Sequence, residues 1–455
     1  MDTGDAVVVV GGGPVGLVSA FALADLGLQV HVFEGRDDPR KVAFPRGRSI
    51  NLTLTQRGWT ALSRVGLEER IRELSTPLGG RVIHSEEGEP RYQPYGANGE
   101  ALHSVSRPEL TAALLDRVDA RGDVKLHFGW RCMGAAPEDG VVTFTAPDGA
   151  VKRVHSKHIL AADGAMSTIR RSLLSRSEFQ LSQTYCKHFY KELSVPLGDD
   201  GRWPFDPHAL HIWPRGDCLL TAFANSGRGF TCALFMPMHG EHSFNALSRP
   251  RDLLEYFNKN FPDLAPRMPQ LLNDFYAGAP SHIVSVRCYP WVFGPLALIG
   301  DSAHAMFPFL GQGLNAGLED ISVLLDCLAN TRDWERALGQ YQVLRKANCD
   351  AVTDIAAQHY EELAQAARDP HFVQRKALEV RLGELFPGEL VSPYHVVSFS
   401  DRPYVEARRT AALQARIIDR LLSRQESTRS VDAALLDHEI VSVARSVLEL
   451  NGGRA

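Results

Sequence analysis

A glycine-rich turn near the start of the chain constrains the fold more than any other stretch. Residues 6–10 (AVVVV) are apolar and mostly β-branched, which is typical of a buried parallel strand. The glycines that follow have the spacing G-x-G-x-x-G, at Gly11, Gly13 and Gly16. An apolar run of helical length covers 17–26, and a second strand is predicted over 28–33. The order of strand, glycines, helix and strand predicts a βαβ unit.

Each glycine in this turn has a separate physical role. Gly11 permits the tight turn, Gly13 lets a pyrophosphate approach the backbone, and Gly16 lets the helix pack on the strand. The helix N-terminus offers free N–H groups to phosphates, and Glu34, after the second strand, is placed to accept hydrogen bonds from ribose hydroxyls. The stretch therefore predicts a dinucleotide site, with a glycine turn of an ordinary βαβ unit as the alternative. It does not distinguish FAD from NAD.

Length and composition indicate a large globular enzyme. With 455 residues the chain exceeds one usual core, so we expect two or three subdomains. Its 44% hydrophobic and 23% charged residues are ordinary for a globular enzyme, and a net charge of −5 argues against nucleic acid or an anionic membrane as the main partner. The sequence contains no apolar run of about 18 residues, so we expect no membrane span.

The cysteines and the start of the chain predict a cytoplasmic location. The seven cysteines are scattered and lack a C-x-x-C pair, which predicts reduced thiols and neither zinc nor a disulfide framework. The first predicted strand begins so close to Met1 that we expect no signal peptide.

Two later stretches each carry an apolar strand that ends on an acid and a glycine. In 158–173 the strand runs into Asp163 and Gly164, and in 295–328 it ends at Gly300 and Asp301. The second stretch continues through Gly311-Gln312-Gly313 into an apolar helix. A lone NAD domain needs no second glycine turn about 290 residues after the first. FAD, which is long and bent, does need one, so we predict FAD as the cofactor.

Several side chains and amides are candidate FAD contacts. Asp301 is placed to bind the ribityl hydroxyls, and an acid-glycine pair such as Asp163-Gly164 suits a nucleotide, although it is also a common turn. Backbone N–H groups at the start of the later helix are predicted to hold the anionic edge of reduced flavin, at Gly313, Leu314 and Asn315. Arginines either screen the pyrophosphate or belong to a solvated loop, at Arg36, Arg40, Arg46 and Arg48. Arg107 begins a predicted helix over 107–118 and is placed to reach the cofactor.

The middle of the chain predicts a separate antiparallel layer. Short alternating strands are predicted over 188–195, 209–214, 218–225, 230–237 and 282–290. Strands are also predicted over 81–84, 124–128 and 141–145, and the chain after 333 is nearly all helical. We therefore predict an FAD-binding domain made of 1–80, 96–180 and 285–355, a substrate-binding antiparallel sheet made of 81–95 and 181–284, and a C-terminal helical region over 356–455.

Taken together, these stretches resemble the class A flavoprotein aromatic hydroxylases. Within that group the chain is similar to the kynurenine 3-monooxygenase family. The segments that carry the similarity are RGRSINLTLT (46–55), QPYG (93–96), YKEL (190–193), ALHIWPRGD (209–217), FPFLGQGLNAGLED (307–320) and PYHVVSFSDRPY (393–404). The resemblance implies an α/β fold of the p-hydroxybenzoate hydroxylase type, with a Rossmann-like FAD-binding domain, an antiparallel-sheet substrate domain and a C-terminal helical region.

The resemblance also implies how substrate is bound. The family binds an α-amino acid that carries an ortho-aminophenyl ketone, and Arg81, Tyr95 and Tyr394 stand at three of its carboxylate-binding positions. His359 stands where the family has asparagine, and it either donates a hydrogen bond or is a helix histidine that faces solvent. The residues expected to form an apolar ring pocket, or otherwise plain core, are Leu210, Leu219, Thr221, Phe223, Phe235, Pro308 and Phe309.

The implied function is FAD-dependent, NAD(P)H-consuming hydroxylation of L-kynurenine at C3, by way of a C4a-hydroperoxyflavin. NADPH would dock transiently, with NADH as the alternative donor, and O2 is the second substrate. One alternative is a hydroxylase of another aminoaryl amino acid or of an anthranilate-like acid. Others are a flavin redox sensor without turnover and an NAD-dependent dehydrogenase. The sequence leaves the oligomeric state open.

Overall fold

The computed structural model describes residues 1, 3–41, 51–96, 99–365, 372–427 and 437–452. In these residues the strands are β1 (Val7–Val10), β2 (Val30–Glu34), β3 (Leu52–Leu54), β4 (Thr76–Leu78), β5 (Gly80–Ile83), β6 (Arg91–Pro94), β7 (Leu102–Val105), β8 (Val124–Phe128), β9 (Arg131–Ala136), β10 (Val141–Thr145), β11 (Val151–His155), β12 (Ile159–Ala161), β13 (Gln180–Val195), β14 (Ala209–Arg215), β15 (Cys218–Asn225), β16 (Gly229–Pro237), β17 (Ser281–Tyr289), β18 (Val292–Phe293) and β19 (Leu296–Leu298). The helices are α1 (Pro14–Asp25), α2 (Gln56–Arg64), α3 (Glu68–Leu74), α4 (Arg107–Asp119), α5 (Thr168–Ser172), α6 (Pro250–Asn260), α7 (Leu271–Tyr276), α8 (Asp301–His304), α9 (Gly313–Thr331), α10 (Trp334–Gln365), α11 (Phe372–Leu385), α12 (Pro393–Phe399), α13 (Tyr404–Ser427) and α14 (Asp437–Gly452).

The first glycine turn belongs to a six-stranded sheet with the order β18-β19-β12-β1-β2-β8. Its strands pair in parallel except for the edge strand β18. All four valines of β1 are buried, as expected for a strand covered on both faces. The strands that end at the three predicted motifs are therefore neighbours: β2, β1, β12 and β19 lie side by side. This arrangement brings all three motifs to one edge of the sheet, because parallel strands end on the same side.

Helix α1 begins three residues earlier than the predicted run over 17–26. Pro14 is the first helical residue, and proline suits that position because its missing N–H has no partner there. The helix packs against α4 and α9, and the turn after it contains Gly27 at a φ of +82°. The correction moves the helix N-terminus directly onto Gly13.

A seven-stranded sheet has the order β17-β13-β16-β15-β14-β5-β6. One face is covered by α6 and α7 over a core that includes Trp213, Leu220, Leu234 and Phe257. We expected an antiparallel sheet, and the pairing of β5 with β14 is instead parallel. The chain between these two strands runs through the other sheets, so no hairpin imposes an antiparallel direction on them.

Two smaller sheets complete this part of the molecule. Strands β3, β7 and β4 form one of them, and β11, β10 and β9 form the other. The sequence patterns did not predict β3, β4, β7, β9 or β11. Strands β3 and β4 have three residues each, which are too few to show a period of two.

The chain forms two compact units, which cover 1–346 and 347–455. In the second unit α11, α13 and α14 enclose an apolar cluster that includes Leu382, Ile417 and Val447. All seven cysteines are free thiols. Among the residues that the structure describes, no helix combines the length and the apolar character required to cross a bilayer. The predicted three-region division stays a prediction.

Candidate active site

The first glycine turn has the geometry that its spacing predicts. Gly11 has a φ of +110°, and a Cβ there would lie 2.3 Å from the Ala162 carbonyl oxygen. A Cβ on Gly16 would lie 2.0 Å from the Gly11 carbonyl oxygen, so only glycine allows this packing. A Cβ on Gly13 would meet nothing within 4 Å. The turn is therefore closed at Gly11 and Gly16 and open at Gly13, next to the N-terminus of α1.

This difference gives a test of the cofactor position. Gly13 has φ −76° and ψ 173°, which alanine adopts without strain, so Gly13→Ala is expected to leave the melting temperature of the apoprotein unchanged within about 2 °C. It should weaken FAD binding by about tenfold or more, because the new methyl group occupies the space that a pyrophosphate needs. Fluorescence titration of the apoprotein with FAD measures this. The matched control is Gly278→Ala, also in open space; equal affinities for the two variants would contradict the assignment.

Glu34 stands at the end of β2, directly beside the turn. Its carboxylate accepts hydrogen bonds from the Gly12 amide at 2.8 Å and from Nε of Arg36 at 2.8 Å. Burial raises the pKa of Glu34, but the hydrogen bonds and charge of Arg36 outweigh this and leave the pKa below its usual value. An ionised Glu34 braces the turn, and its contact with ribose stays a prediction.

The predicted arginines have different surroundings. Arg36 is mostly exposed and pairs with Glu34. Arg40 forms ion pairs with Asp38 at 2.8 Å and Asp116 at 3.0 Å. Arg107 is the exposed first residue of α4. Two further arginines lie outside the described residues, namely Arg46 and Arg48.

A serine that the sequence patterns did not single out joins the second and third motifs. The Ser302 hydroxyl donates to Oδ1 of Asp163 at 3.1 Å and accepts from the Gly164 amide at 2.9 Å. Oδ2 of Asp163 accepts from the Thr168 amide at 2.7 Å, at the start of α5. The Asp163 carboxylate thus braces the two turns against each other, while a contact with nucleotide stays a prediction. Only the spatial pairing of β12 with β19 explains the role of Ser302.

The third motif places an acid next to a helix N-terminus. Gly300 has φ +60° and ψ −141°, a conformation suited to glycine, and its amide donates to Oδ2 of Asp320 at 3.0 Å. Asp301 is exposed, and a Cβ built on Gly313 would lie 3.7 Å from its Oδ1. The first hydrogen bond inside α9 runs from the Ala316 amide to the Gln312 carbonyl, so the amides of 313–315, including Leu314, precede it. A carboxylate and a set of N–H donors therefore lie side by side.

The side chain of Asn315 is occupied by contacts within the protein, and the contact of its amide with the cofactor stays a prediction. Its Oδ1 accepts from the Thr55 amide at 2.9 Å. Its Nδ2 donates to the carbonyl oxygens of Thr53, at 2.8 Å, and Gly311, at 2.9 Å. The buried side chain thus ties the loop before α9 to β3.

A buried ionic network lies behind the third motif. Oδ1 of Asp320 accepts from Nε of Arg345 at 2.7 Å, and Oδ2 lies 2.6 Å from Nε2 of His304. Glu319 bridges Arg345, at 2.6 Å, and Arg57, at 2.7 Å. Burial raises the pKa of Asp320, but His304 and Arg345 outweigh it and lower the pKa to about 2. The sequence patterns did not predict this network.

The face of the seven-stranded sheet opposite α6 and α7 carries the predicted pocket residues. Strand register places Leu219 beside Phe235, and the same alternation puts the other predicted residues on this face, namely Leu210, Thr221 and Phe223. The loop that contains Pro308 and Phe309 reaches this face, since the rings of Phe309 and Phe235 are 5.1 Å apart. The structure thus brings all seven predicted pocket residues to one region.

Arg81 lies on the same sheet face. Its register partners are Leu210 on β14 and Gln93 on β6, and its Nε donates to Oε1 of Gln93 at 3.1 Å. Tyr95 follows β6, and its amide donates to the Gly79 carbonyl at 3.1 Å. Arg81 and Tyr95 are both half-buried residues, and Arg81 borders the apolar face at Leu210.

The remaining two predicted substrate residues belong to the second unit. His359 lies near the C-terminal end of α10, and Tyr394 is the second residue of α12. Both side chains are half-buried.

Comparison with known proteins decides the family. The model of the FAD binding domain family matches residues 5–188 and 268–356. Kynurenine 3-monooxygenase of Myxococcus xanthus is 38% identical over 94% of this chain and 93% of its own. The enzyme of that name from Sus scrofa is 37% identical over 93% of this chain and 90% of its own. The chain belongs to the kynurenine 3-monooxygenase family.

Solved structures give the same fold for this kynurenine 3-monooxygenase family member. A 2-methyl-3-hydroxypyridine-5-carboxylic acid oxygenase has a TM-score of 0.65 and 22% identity, over 81% of this chain and 94% of its own. PqsL of P. aeruginosa has a TM-score of 0.65 and 18% identity, over 82% of this chain and all of its own. The predicted family, fold class, FAD cofactor and FAD-dependent monooxygenase class are confirmed.

The residues present fit the cofactor of the kynurenine 3-monooxygenase family. The open space at Gly13 and the helix N-terminus beside it suit a pyrophosphate, and Glu34 suits a ribose. The exposed Asp301 and the amides at the start of α9 are a donor and acceptor set for a ribityl chain and a flavin edge.

Tyr190 is an aromatic residue near the predicted pocket that the sequence patterns did not assign to it. Its ring lies 6.1 Å from the ring of Phe235. The alternation within YKEL (190–193) was the available signal for it.

Proposed function

We propose that this protein hydroxylates L-kynurenine at C3, with NADPH as the electron donor and O2 as the oxidant. The observation that carries the proposal is the sheet face on which Arg81 borders an apolar surface opposite Phe309. The names of the relatives that match nearly the whole chain support the same substrate. A cytoplasmic location is part of the proposal, and the seven free thiols support it.

The amino-acid end of the substrate is assigned to Arg81 and Tyr95. A guanidinium binds a carboxylate bidentately through two parallel N–H···O bonds, and a phenol adds a neutral donor. Gln93 fixes the Arg81 side chain from the neighbouring strand, which leaves its terminal nitrogens for the ligand. The carboxylate roles of His359 and Tyr394 rest on the family resemblance alone.

The aromatic end of the substrate is assigned to the apolar part of the face. Leu219, Thr221 and Phe235 form its floor, and Phe309 covers it from the loop. These side chains position the ring and exclude water, which limits wasteful release of peroxide. The redox chemistry, namely electron transfer from NADPH and activation of O2, is supplied by FAD when it is bound.

The amino group of the substrate makes part of the catalytic work of the protein unnecessary. The amino group on the ring supplies electron density to the ring carbon ortho to it, where the oxygen atom is added. No strong protein base is required for that step. Orientation of the ring and exclusion of water are therefore the main tasks of the surrounding side chains.

The test is substrate-dependent consumption of NADPH by the FAD-loaded protein. With L-kynurenine we expect NADPH oxidation and a product heavier by one oxygen atom in mass spectrometry. NADH and a panel of aminoaryl acids, including anthranilate, are run in parallel. If another compound of the panel is hydroxylated faster than L-kynurenine, with NADPH oxidation coupled to product, that compound would be assigned as the substrate instead. If no compound of the panel speeds the reduction of the flavin by NADPH, the result would favour a flavin redox sensor without turnover.

A further inference from the structure

His84 anchors the end of β5 on the sheet face opposite Arg81. Its amide donates to the Ile212 carbonyl at 2.8 Å, and its carbonyl accepts from Nη1 of Arg215 at 2.7 Å. Its imidazole is buried and stacks on the Trp213 ring, with centroids 4.1 Å apart and planes 17° apart. The face that this residue occupies is the one that α6 and α7 cover.

The imidazole also belongs to a chain of polar contacts. Nε2 of His84 lies 3.0 Å from Nδ1 of His211, and Nε2 of His211 lies 2.8 Å from the Asp206 carbonyl oxygen. Nδ1 of His84 lies 3.0 Å from Oδ2 of Asp263, which also accepts from Nε1 of Trp213 at 3.0 Å. Two strands, the loop before β14 and the segment after α6 therefore meet at His84.

The Asp206 carbonyl fixes which nitrogen of His211 carries the proton. The Asp206 carbonyl only accepts, so Nε2 of His211 carries the proton and its Nδ1 accepts from His84. The Asp263 carboxylate faces the other ring nitrogen of His84. Burial lowers the pKa of His211, in agreement with a neutral ring. The His84 ring is thus held between Asp263 on one side and His211 on the other.

Strand β5 is short, and its other neighbour is the edge strand β6, with which it pairs antiparallel. It has four residues, lies near the edge of the sheet, and is joined to β14 by a short parallel ladder. Arg81 precedes His84 by three residues, about 10 Å along an extended strand. Because side chains alternate between faces, the anchor holds the back of the strand while Arg81 projects from its front.

We propose that His84 is a positioning residue for Arg81. Its contacts with Asp263 and His211 hold β5 in register with β14 and so set where the Arg81 guanidinium meets the substrate carboxylate. This inference rests on the proposed role of Arg81. The contacts of His84 themselves lie on the other face of the sheet and do not reach substrate.

The test uses His84→Phe, which keeps an aromatic ring on Trp213 and removes both polar contacts. In the FAD-loaded enzyme the KM for L-kynurenine should rise about tenfold, because a small displacement of Arg81 spoils the geometry of its contact with the carboxylate. The kcat should stay within about twofold, because carboxylate binding is shared by ground and transition states. The second ligand is 2′-aminoacetophenone, which has the same ring and ketone but no carboxylate; its binding should be unchanged.

Two more variants complete the design. The double variant Arg81→Ala/His84→Phe should have the same KM as Arg81→Ala within about twofold. Once the Arg81 side chain is removed, a change in its position has no further effect. Asp263→Asn covers the case in which His84→Phe does not fold, and it should raise the KM for L-kynurenine in the same way. Glu255→Gln, which removes an exposed ion pair on α6, is the matched control and should change neither parameter.

Three results would overturn the inference. The first is an unchanged KM in both His84→Phe and Asp263→Asn while Arg81→Ala raises it. The second is equal weakening of L-kynurenine and 2′-aminoacetophenone, which would indicate a general disturbance of the sheet. The third is an unchanged KM in Arg81→Ala itself, which would reject the carboxylate assignment together with this one.

Discussion

Arg81→Ala is expected to raise the KM for L-kynurenine about 100-fold, with kcat changed by less than about threefold. Removal of a charge-assisted hydrogen bond costs about 1.5–3 kcal/mol, and each 1.4 kcal/mol is a factor of ten. The effect falls on KM because the carboxylate lies far from the ring carbon that reacts. Steady-state kinetics with saturating FAD and NADPH measure it.

The structure provides two comparisons for this variant. Arg81→Lys keeps the charge and loses the bidentate fork, so its KM should lie between those of the wild type and of Arg81→Ala. Arg91→Ala removes an exposed arginine from the neighbouring strand β6 and should leave KM unchanged. The affinity for FAD should be the same in Arg81→Ala, Arg81→Lys and Arg91→Ala, because Arg81 lies on the sheet face and not at the glycine turn. A weaker affinity for FAD in Arg81→Ala would mean that it acts on the fold.

Asp320→Asn is expected to lower the free energy of unfolding by about 3–5 kcal/mol. The carboxylate is fully buried between Arg345 and His304, and removing one charge of a buried pair leaves the other uncompensated. Urea unfolding of the apoprotein measures the change. The control is Asp326→Asn on the same helix, whose exposed pair with Arg64 should contribute less than about 1 kcal/mol.

The same residue gives a pH dependence with a definite sign. The pKa of Asp320 falls from 3.8 to about 2 in the folded state, so protons bind more readily to the unfolded chain. Its contribution is therefore fully present above about pH 4 and is lost as the pH falls towards 2. The difference in unfolding free energy between wild type and Asp320→Asn should shrink over that interval. A difference that stays constant down to pH 2 would show that folding does not lower the pKa of Asp320.

Much of the fold follows from local patterns. The apolar run and glycines at the first turn predicted β1 and α1, and the predicted strands 124–128, 141–145 and 218–225 agree with β8, β10 and β15. These signals depend on residues within a few positions of one another. Alternation along β15 also put Leu219 and Thr221 on one face without knowledge of the pairing, whereas the register with β16 brings Phe235 beside them.

What the patterns missed depends on residues that are distant along the chain. The parallel pairing of β5 with β14, the bridge from Ser302 to Asp163 and the pair of Asp320 with Arg345 join separate segments. Periodicity carries no information about such partners. The same reason explains Asn315, whose amide was expected near the cofactor while its side chain is used to hold β3.

The parallel pairing of β5 with β14 also bears on how the molecule is made. Residues 80–83 find their partners at 209–212, so a ribosome must synthesise about 130 further residues before the strand can dock. Contacts between such remote segments form slowly because a long loop must close first. Nascent chains released before residue 209 should therefore hold Arg81 on a hairpin of β5 and β6 that has no β14 to dock on, and substrate recognition becomes one of the later properties that a growing chain acquires.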